Sequence, residues 1–80
     1  MMTQARKTTY VALRRRLSEY HYTIADMARE LLIGQRTIQY RFSGTQPWTL
    51  PEMYHVMSWL GLPHDQLHIY FPPDGGTSKH

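Results

Sequence analysis

The sequence predicts a single all-α domain, compact and built from five short helices. Apolar residues recur at helical spacing in several stretches, residues that cap helices stand at the ends of those stretches, and no segment carries a strong strand signal. A chain of 80 residues has room for one small core, which depends on helix packing or on a partner chain. We expect the domain at residues 9–71, a flexible basic arm at residues 1–8, and a disordered tail, rich in Pro, Gly and Ser, at residues 72–80.

The first two predicted helices are separated by a break at residues 21–23. The first helix runs to about residue 19 and begins after Thr9, its expected N-cap. The second occupies residues 24–31, because Thr23 can accept a hydrogen bond from the free amides of a new first turn. The apolar residues that recur at helical spacing along the two helices are Tyr10, Leu13, Leu17, Tyr20, Ile24, Met27, Ala28 and Leu31.

A short turn at residues 32–34 leads to the third predicted helix, at residues 35–42. Ile38 and Phe42 are four residues apart, so both would face inward. Gly44 follows, and glycine commonly ends a helix. The third helix is therefore expected to bury one side and leave a polar side outward.

The fourth predicted helix has the clearest start. Thr49 is followed by Pro51 in the first turn and by Glu52 three residues on, which is a capping box. The helix stops at Gly61, and residues 63–67 could add one or two helical turns. Residues 68–71 suit either a helical end or an extended strand. Trp59 points away from the inward stripe, which is expected to hold Leu50, Met53, Val56, Met57 and Leu60.

The composition excludes several kinds of site. The chain has no cysteine, which rules out disulfides, cysteine-ligated zinc and thiol nucleophiles. His64 and His68 could share a metal ion on a helix, but no third ligand is evident, so we expect no metal and no cofactor. No spacing of titratable residues specifies a catalytic set, and we expect a protein that is not an enzyme. No apolar stretch suits a signal sequence or a membrane span, which favours a cytoplasmic protein with no membrane partner.

The charge is unevenly distributed along the chain. Residues 1–42 hold eight basic and three acidic residues, a balance of +5, whereas residues 43–80 hold one basic and three acidic residues, a balance of −2. A basic half beside a mildly acidic half is typical of a domain that meets a polyanion on one face. A charged face that is simply solvated gives the same balance, so charge alone leaves both interpretations open.

The pattern of residues 23–44 favours the polyanion. This run, TIADMARELLIGQRTIQYRFSG, resembles the helix-turn-helix of lambda-repressor-like (Cro/cI, XRE) regulators, and the following WTLPEMYHVMSWLGL resembles the corresponding part of small phage and prophage regulators. The resemblance extends over roughly residues 10–71. It implies a helix-turn-helix at the second and third helices, sequence-specific binding of double-stranded DNA, and transcriptional repression at a two-fold operator by a bacterial or phage-encoded protein. Leu32 departs from the family, which usually has glycine in a left-handed turn at this position.

The resemblance also implies roles for individual residues. Two short helices that cross closely need a small residue where they touch, and Ala28 stands there. Glutamine pairs with adenine and arginine with guanine, so the outer side of the third helix suits the reading of bases. The predicted helix-turn-helix core is Met27, Ala28, Leu31, Ile33 and Ile38, the predicted base contacts are Gln35, Arg36, Gln39 and Tyr40, and the predicted phosphate contacts are Arg6, Lys7, Thr23, Arg41 and Ser43.

We expect the protein to bind its operator as a homodimer, since one short recognition helix touches only a few base pairs. The interface is expected at large apolar residues that have no evident use in a monomer, namely Trp59, Leu67, Ile69, Tyr70 and Phe71. An alternative stays open, in which Leu67 and Phe71 fold back to close the core. A second function also stays open, a protein-interaction module such as an antitoxin or mobile-element inhibitor, although such a module would expose more apolar area on the third helix.

Overall fold

The computed structural model describes residues 9–76, and this part of the chain is helical without any β-strand. Its α-helices are α1 (Val11–Glu19), α2 (Ile24–Leu31), α3 (Gln35–Ser43), α4 (Leu50–Trp59) and α5 (Leu67–Tyr70), with 3-10 turns at His64–Gln66 and Pro73–Gly76. The predicted all-α class is therefore confirmed, and the segment that suited either a helical end or a strand is a helical end. None of the helices in residues 9–76 is long and apolar enough to cross a membrane.

Capping boxes start both α2 and α4. The Thr23 hydroxyl accepts a hydrogen bond from the Asp26 amide, and the Asp26 carboxylate accepts one from the Thr23 amide at 2.8 Å. Thr49 and Glu52 make the same reciprocal pair at α4. Each box satisfies amides that the first turn of a helix leaves without a partner. Thr23 and Thr49 are thus the N-caps that the sequence predicted.

The start of α1 differs from the prediction. Its N-cap is Tyr10, in the left-handed region at φ 53° and ψ 46°, without a side-chain cap. The Thr9 hydroxyl instead donates a short hydrogen bond to the Phe42 carbonyl at the end of α3. The Thr9 carbonyl accepts a hydrogen bond from Arg14 Nε at 2.6 Å. The expected cap therefore ties α1 to α3, a link between residues that are far apart in the sequence.

The predicted apolar stripes form the core except at Leu50 and Tyr20. The side chains with less than 2% exposure are Leu13, Met27, Ile38, Val56, Met57 and Leu60. Leu50 was expected among them but is 50% exposed, because the contact of α4 with the core begins one turn later, at Met53. Tyr20 is also partly exposed, and its hydroxyl donates to the Leu60 carbonyl at 2.8 Å.

An aromatic cluster closes the core at the C-terminal end of the described chain. Trp48 packs edge-on against Phe42 and Phe71, with ring centroids 5.6 and 5.1 Å apart, and Tyr10 joins the same cluster. Tyr70 is buried as well, and its hydroxyl accepts a hydrogen bond from Arg16 at 2.9 Å. Tyr70 and Phe71 therefore have uses within a single chain, and they do not supply the exposed surface that the dimer prediction assumed.

The segment after Phe71 is ordered against the start of α1. The Tyr10 amide donates to the Gly75 carbonyl at 2.9 Å, and a Cβ added to Gly75 would lie 3.0 Å from the Cβ of Thr9. Only glycine allows this close approach, together with its φ of 68°. The part of the predicted disordered tail that the structure describes includes the 3-10 turn Pro73–Gly76, and residues 77–80 lie outside the described residues.

Candidate nucleic-acid interface

The α2 and α3 helices pack against each other more extensively than any other pair of elements in residues 9–76. Ala28 is buried, and Met27 and Ile38 are fully buried. Leu31 and Ile33 are partly buried and pack against the core. All five residues proposed for the core of this helix pair are thus buried in the core or packed against it.

The turn between α2 and α3 contains a left-handed leucine. Leu32 has φ 60° and ψ 39°, in the left-handed region that favours glycine. A leucine costs about 1 kcal/mol in this region because its Cβ crowds the following carbonyl. The Ile33 amide donates to the Ala28 carbonyl at 3.1 Å, which holds the turn closed. The turn at residue 32 is therefore left-handed even though the residue is leucine and not glycine.

The outer side of α3 is polar and exposed. Gln35, Arg36, Gln39 and Tyr40 are all exposed, and their spacing puts them on one side of the helix, away from the buried Ile38. None of these four side chains makes a hydrogen bond or an ion pair with another residue in 9–76. A ligand can therefore reach the side-chain amides, the guanidinium and the phenol of these four residues. The opposite side of α3 is buried in the core through Ile38 and Phe42.

Most of the described arginines are engaged within the chain. Arg14 bonds to Thr9 and lies 4.7 Å over the Phe42 ring, Arg16 pairs with Glu19, and Arg29 pairs with Asp26. Hydrogen bonding to Tyr70 is the main reason why the pKa of Arg16 lies above its usual value. Arg15 and Arg36 are different, since neither side chain has a hydrogen bond or ion pair with a described residue. They are the arginines of residues 9–76 that remain fully available to a polyanion.

Arg41 does not suit the phosphate contact that the sequence predicted. Its Nε and Nη2 donate to the two carboxylate oxygens of Glu52 at 3.1 and 2.8 Å, and its Nη1 donates to Gln46 at 3.0 Å. The side chain is only 13% exposed. Glu52, whose carboxylate caps α4, lies next to the end of α3 and accepts two hydrogen bonds from the Arg41 guanidinium. Arg41 fixes α4 to α3 and is not free to grip a phosphate.

Thr23 and Ser43 are also engaged locally. Both the hydroxyl and the amide of Thr23 bond to Asp26, whose carboxylate would repel a phosphate at the start of α2. The Ser43 hydroxyl donates to the Tyr40 carbonyl at 3.0 Å and lies 2.8 Å from the Thr45 hydroxyl, but it stays exposed. The other two predicted phosphate contacts, Arg6 and Lys7, lie outside the described residues.

One surface cavity has a cation and other polar side chains in its lining. It lies between α1, the start of α2 and the end of α3, and its lining includes Arg14, Ser18 and His21. Arg14 keeps one guanidinium nitrogen without a partner among residues 9–76. Arg14 belongs to the sequence run Arg14-Arg15-Arg16, whereas nothing local in the sequence singled out His21, which is exposed and has a left-handed backbone at φ 60°.

The remaining sequence-predicted residues lie apart from α3. His64 accepts or donates a hydrogen bond with the Ser58 hydroxyl at 3.0 Å and lies against the Tyr54 ring. No group of three or more possible metal ligands occurs among the described residues. Trp59 stacks on Tyr22 at 4.3 Å, whereas Ile69 is 47% exposed. Of the residues predicted for a dimer interface, Ile69 is thus the one that remains clearly uncovered in a single chain.

Comparisons with protein-family models, with curated proteins and with solved structures identified no significant match for this chain. The function is therefore argued from the residues themselves.

Proposed function

We propose that the protein is a sequence-specific binder of double-stranded DNA, a helix-turn-helix regulator of the lambda-repressor-like kind rather than an enzyme. The observation that carries this proposal is the exposed, unpaired face of α3 that bears Gln35, Arg36 and Gln39. Glutamine offers a donor and an acceptor that match adenine, and arginine offers a fork that matches guanine O6 and N7. A helix of this size enters the major groove of B-form DNA.

The packing behind α3 supports the same proposal. Base reading needs side chains that are held in position by a rigid support. The buried Ala28 lets α2 approach α3 closely, and the Arg41–Glu52 pair ties the end of α3 to α4. We assign the third helix to base reading, with Arg14, His21 and Ser43 as phosphate contacts that flank it. This revised phosphate set omits Arg41, because its guanidinium is already bound.

A repressor of this kind acts on a two-fold operator as a homodimer. Two recognition helices about 34 Å apart read successive major grooves on one face of the duplex. The exposed Ile69 on α5, close to Ala12 on α1, is the apolar contact that we assign to the second copy.

Selection of bound sites from random duplex DNA tests the proposal. We expect enrichment of one two-fold sequence, with half-sites whose centres are about 10 base pairs apart or a multiple of that spacing. Retention of all duplexes without enrichment would contradict sequence-specific binding. The absence of any DNA binding would favour the protein-interaction module instead.

A further inference from the structure

Leu32 is the most exposed large apolar side chain in residues 9–76. It is 88% exposed, whereas the next most exposed, Leu50, is 50% exposed. It also holds a left-handed backbone conformation that leucine rarely adopts. The side chain therefore adds almost nothing to the core, while the backbone at the same residue is strained. Neither feature stabilises the folded chain by itself.

The turn that carries Leu32 is fixed on both sides. Before it, α2 is anchored by Met27 and Ala28 in the core, and after it Ile33 packs against the same core. The Ile33 amide bonds to the Ala28 carbonyl, so the turn cannot swing to bury Leu32 without breaking that bond. Leucine is thus presented to the outside by a rigid part of the backbone.

Leu32 also lies close to the residues proposed to read bases. Leu32 lies three positions before Gln35, with only Ile33 and Gly34 between them, so their Cα atoms are at most roughly 11 Å apart. Both Gln35 and Arg36 are exposed and unpaired in the described chain. A ligand that covers the start of α3 is therefore within reach of the leucine side chain.

We propose that Leu32 contacts the DNA, with its side chain against the C5-methyl group of a thymine that borders the base pairs read by Gln35 and Arg36. This inference rests on the proposed DNA binding. The polar and cationic neighbours of Leu32 suit a polyanion, and the thymine methyl is the apolar group that the base edges present in the major groove. Leu32 is then a specificity-determining residue that reads a methyl group, beside neighbours that read hydrogen-bonding groups.

Replacement of single thymines by deoxyuridine in the selected duplex tests this contact, because it removes the methyl group alone. We expect the parent protein to lose about three- to tenfold in affinity at one such position in each half-site, the size expected for one buried methyl group. Leu32→Gly should bind the thymine duplex about three- to tenfold more weakly than the parent. When the thymine at that position is replaced by deoxyuridine, the affinity of Leu32→Gly should not fall any further.

Leu50→Ala provides a matched control, since it shortens another exposed leucine on a different helix. It should respond to deoxyuridine as the parent does. The inference is overturned, and the proposed function stands, if Leu32→Gly binds as tightly as the parent, if it keeps the full sensitivity to deoxyuridine, or if no thymine methyl affects the parent. A parent protein that selects no sequence at all would overturn both.

Discussion

Arg41 and Glu52 form a two-pronged ion pair that joins the end of α3 to the first turn of α4. Two guanidinium nitrogens donate to the two carboxylate oxygens at 3.1 and 2.8 Å. Glu52 also accepts a hydrogen bond from the Thr49 amide at 3.0 Å. One carboxylate thus caps α4 and holds the outward-facing α3 in position.

Arg41→Ala should lower the free energy of unfolding by about 2 kcal/mol, because it removes charge-assisted hydrogen bonds and leaves Glu52 partly buried without its cation. Denaturation in urea measures this. Arg29→Ala is the matched control, since the Arg29–Asp26 pair is exposed and should contribute less than about 1 kcal/mol. Equal losses in the two variants would contradict a special role for the Arg41–Glu52 pair.

Stability should fall in acid through Glu52. Burial raises the pKa of this carboxyl, but hydrogen bonds from Arg41 and the Thr49 amide outweigh burial and hold the pKa below its ordinary value of 4.5. A carboxyl with a lowered folded pKa stabilises the fold above its unfolded pKa, and that contribution is lost as the pH falls through the folded value. We expect the free energy of unfolding to decrease below about pH 4.5.

Glu52→Gln isolates this effect. The variant should be less stable than the parent at pH 7 and should show a smaller decrease in acid. Asp26 titrates in the same direction, since hydrogen bonds from the Thr23 amide and hydroxyl lower its pKa, so the decrease should be reduced but not abolished. A variant whose acid profile parallels that of the parent would contradict the assignment.

Leu32→Gly should change the free energy of unfolding by no more than about 1 kcal/mol. Glycine relieves the left-handed strain, but it also increases the entropy of the unfolded chain, and the two effects oppose each other. The exposed side chain contributes little packing that could be lost. Leu32→Ala is the control that shortens the side chain and keeps the Cβ. Losses above about 2 kcal/mol in both variants would mean that the leucine packs in the core.

Ile69→Asp should abolish dimer formation without unfolding the chain. The side chain is exposed in the single chain, so the charge disturbs a partner contact and not the core. Sedimentation at micromolar concentration should give a dimer for the parent and a monomer for the variant. Tyr70→Ala is unsuitable for this purpose, since Tyr70 is buried and its loss would destabilise the fold. A monomeric parent at high concentration that binds a half-site with full affinity would contradict the dimer.

Local signals predicted the helices well, because caps and apolar spacing lie within a few residues of each other. Thr23, Thr49 and the glycine after α3 mark helix ends that the structure also has. Links across the fold could not be predicted in this way. The pair of Arg41 and Glu52 depends on how α3 meets α4, and no local pattern encodes that geometry.

The C-terminal end illustrates the same limit. Tyr70 and Phe71 are apolar residues before a polar tail, a pattern that suits a partner surface and a folded-back segment alike. Phe71 packs on Trp48, which stands in a loop where the sequence gives no periodicity, and Tyr70 bonds to Arg16 on α1. For the candidate site, the sequence predicted which side chains of α3 face outward, but not which cations were already engaged.

The most direct test of DNA reading by α3 compares Arg36→Ala with Arg15→Ala. Both variants remove one exposed, unpaired arginine, from α3 and from α1 respectively. On the selected duplex, Arg36→Ala should lose roughly 1–3 kcal/mol of binding free energy, and its non-specific binding should be almost unchanged. We expect the same result for Gln39→Ala. Arg15 lines the same cavity as Ile69, so the comparison is made at a concentration where sedimentation gives the parent and the variant the same oligomeric state. There Arg15→Ala should change specific and non-specific binding by similar amounts, because any DNA contact from α1 is to the phosphates. If the α3 variants bind the selected site as the parent does, α3 is not the reading helix.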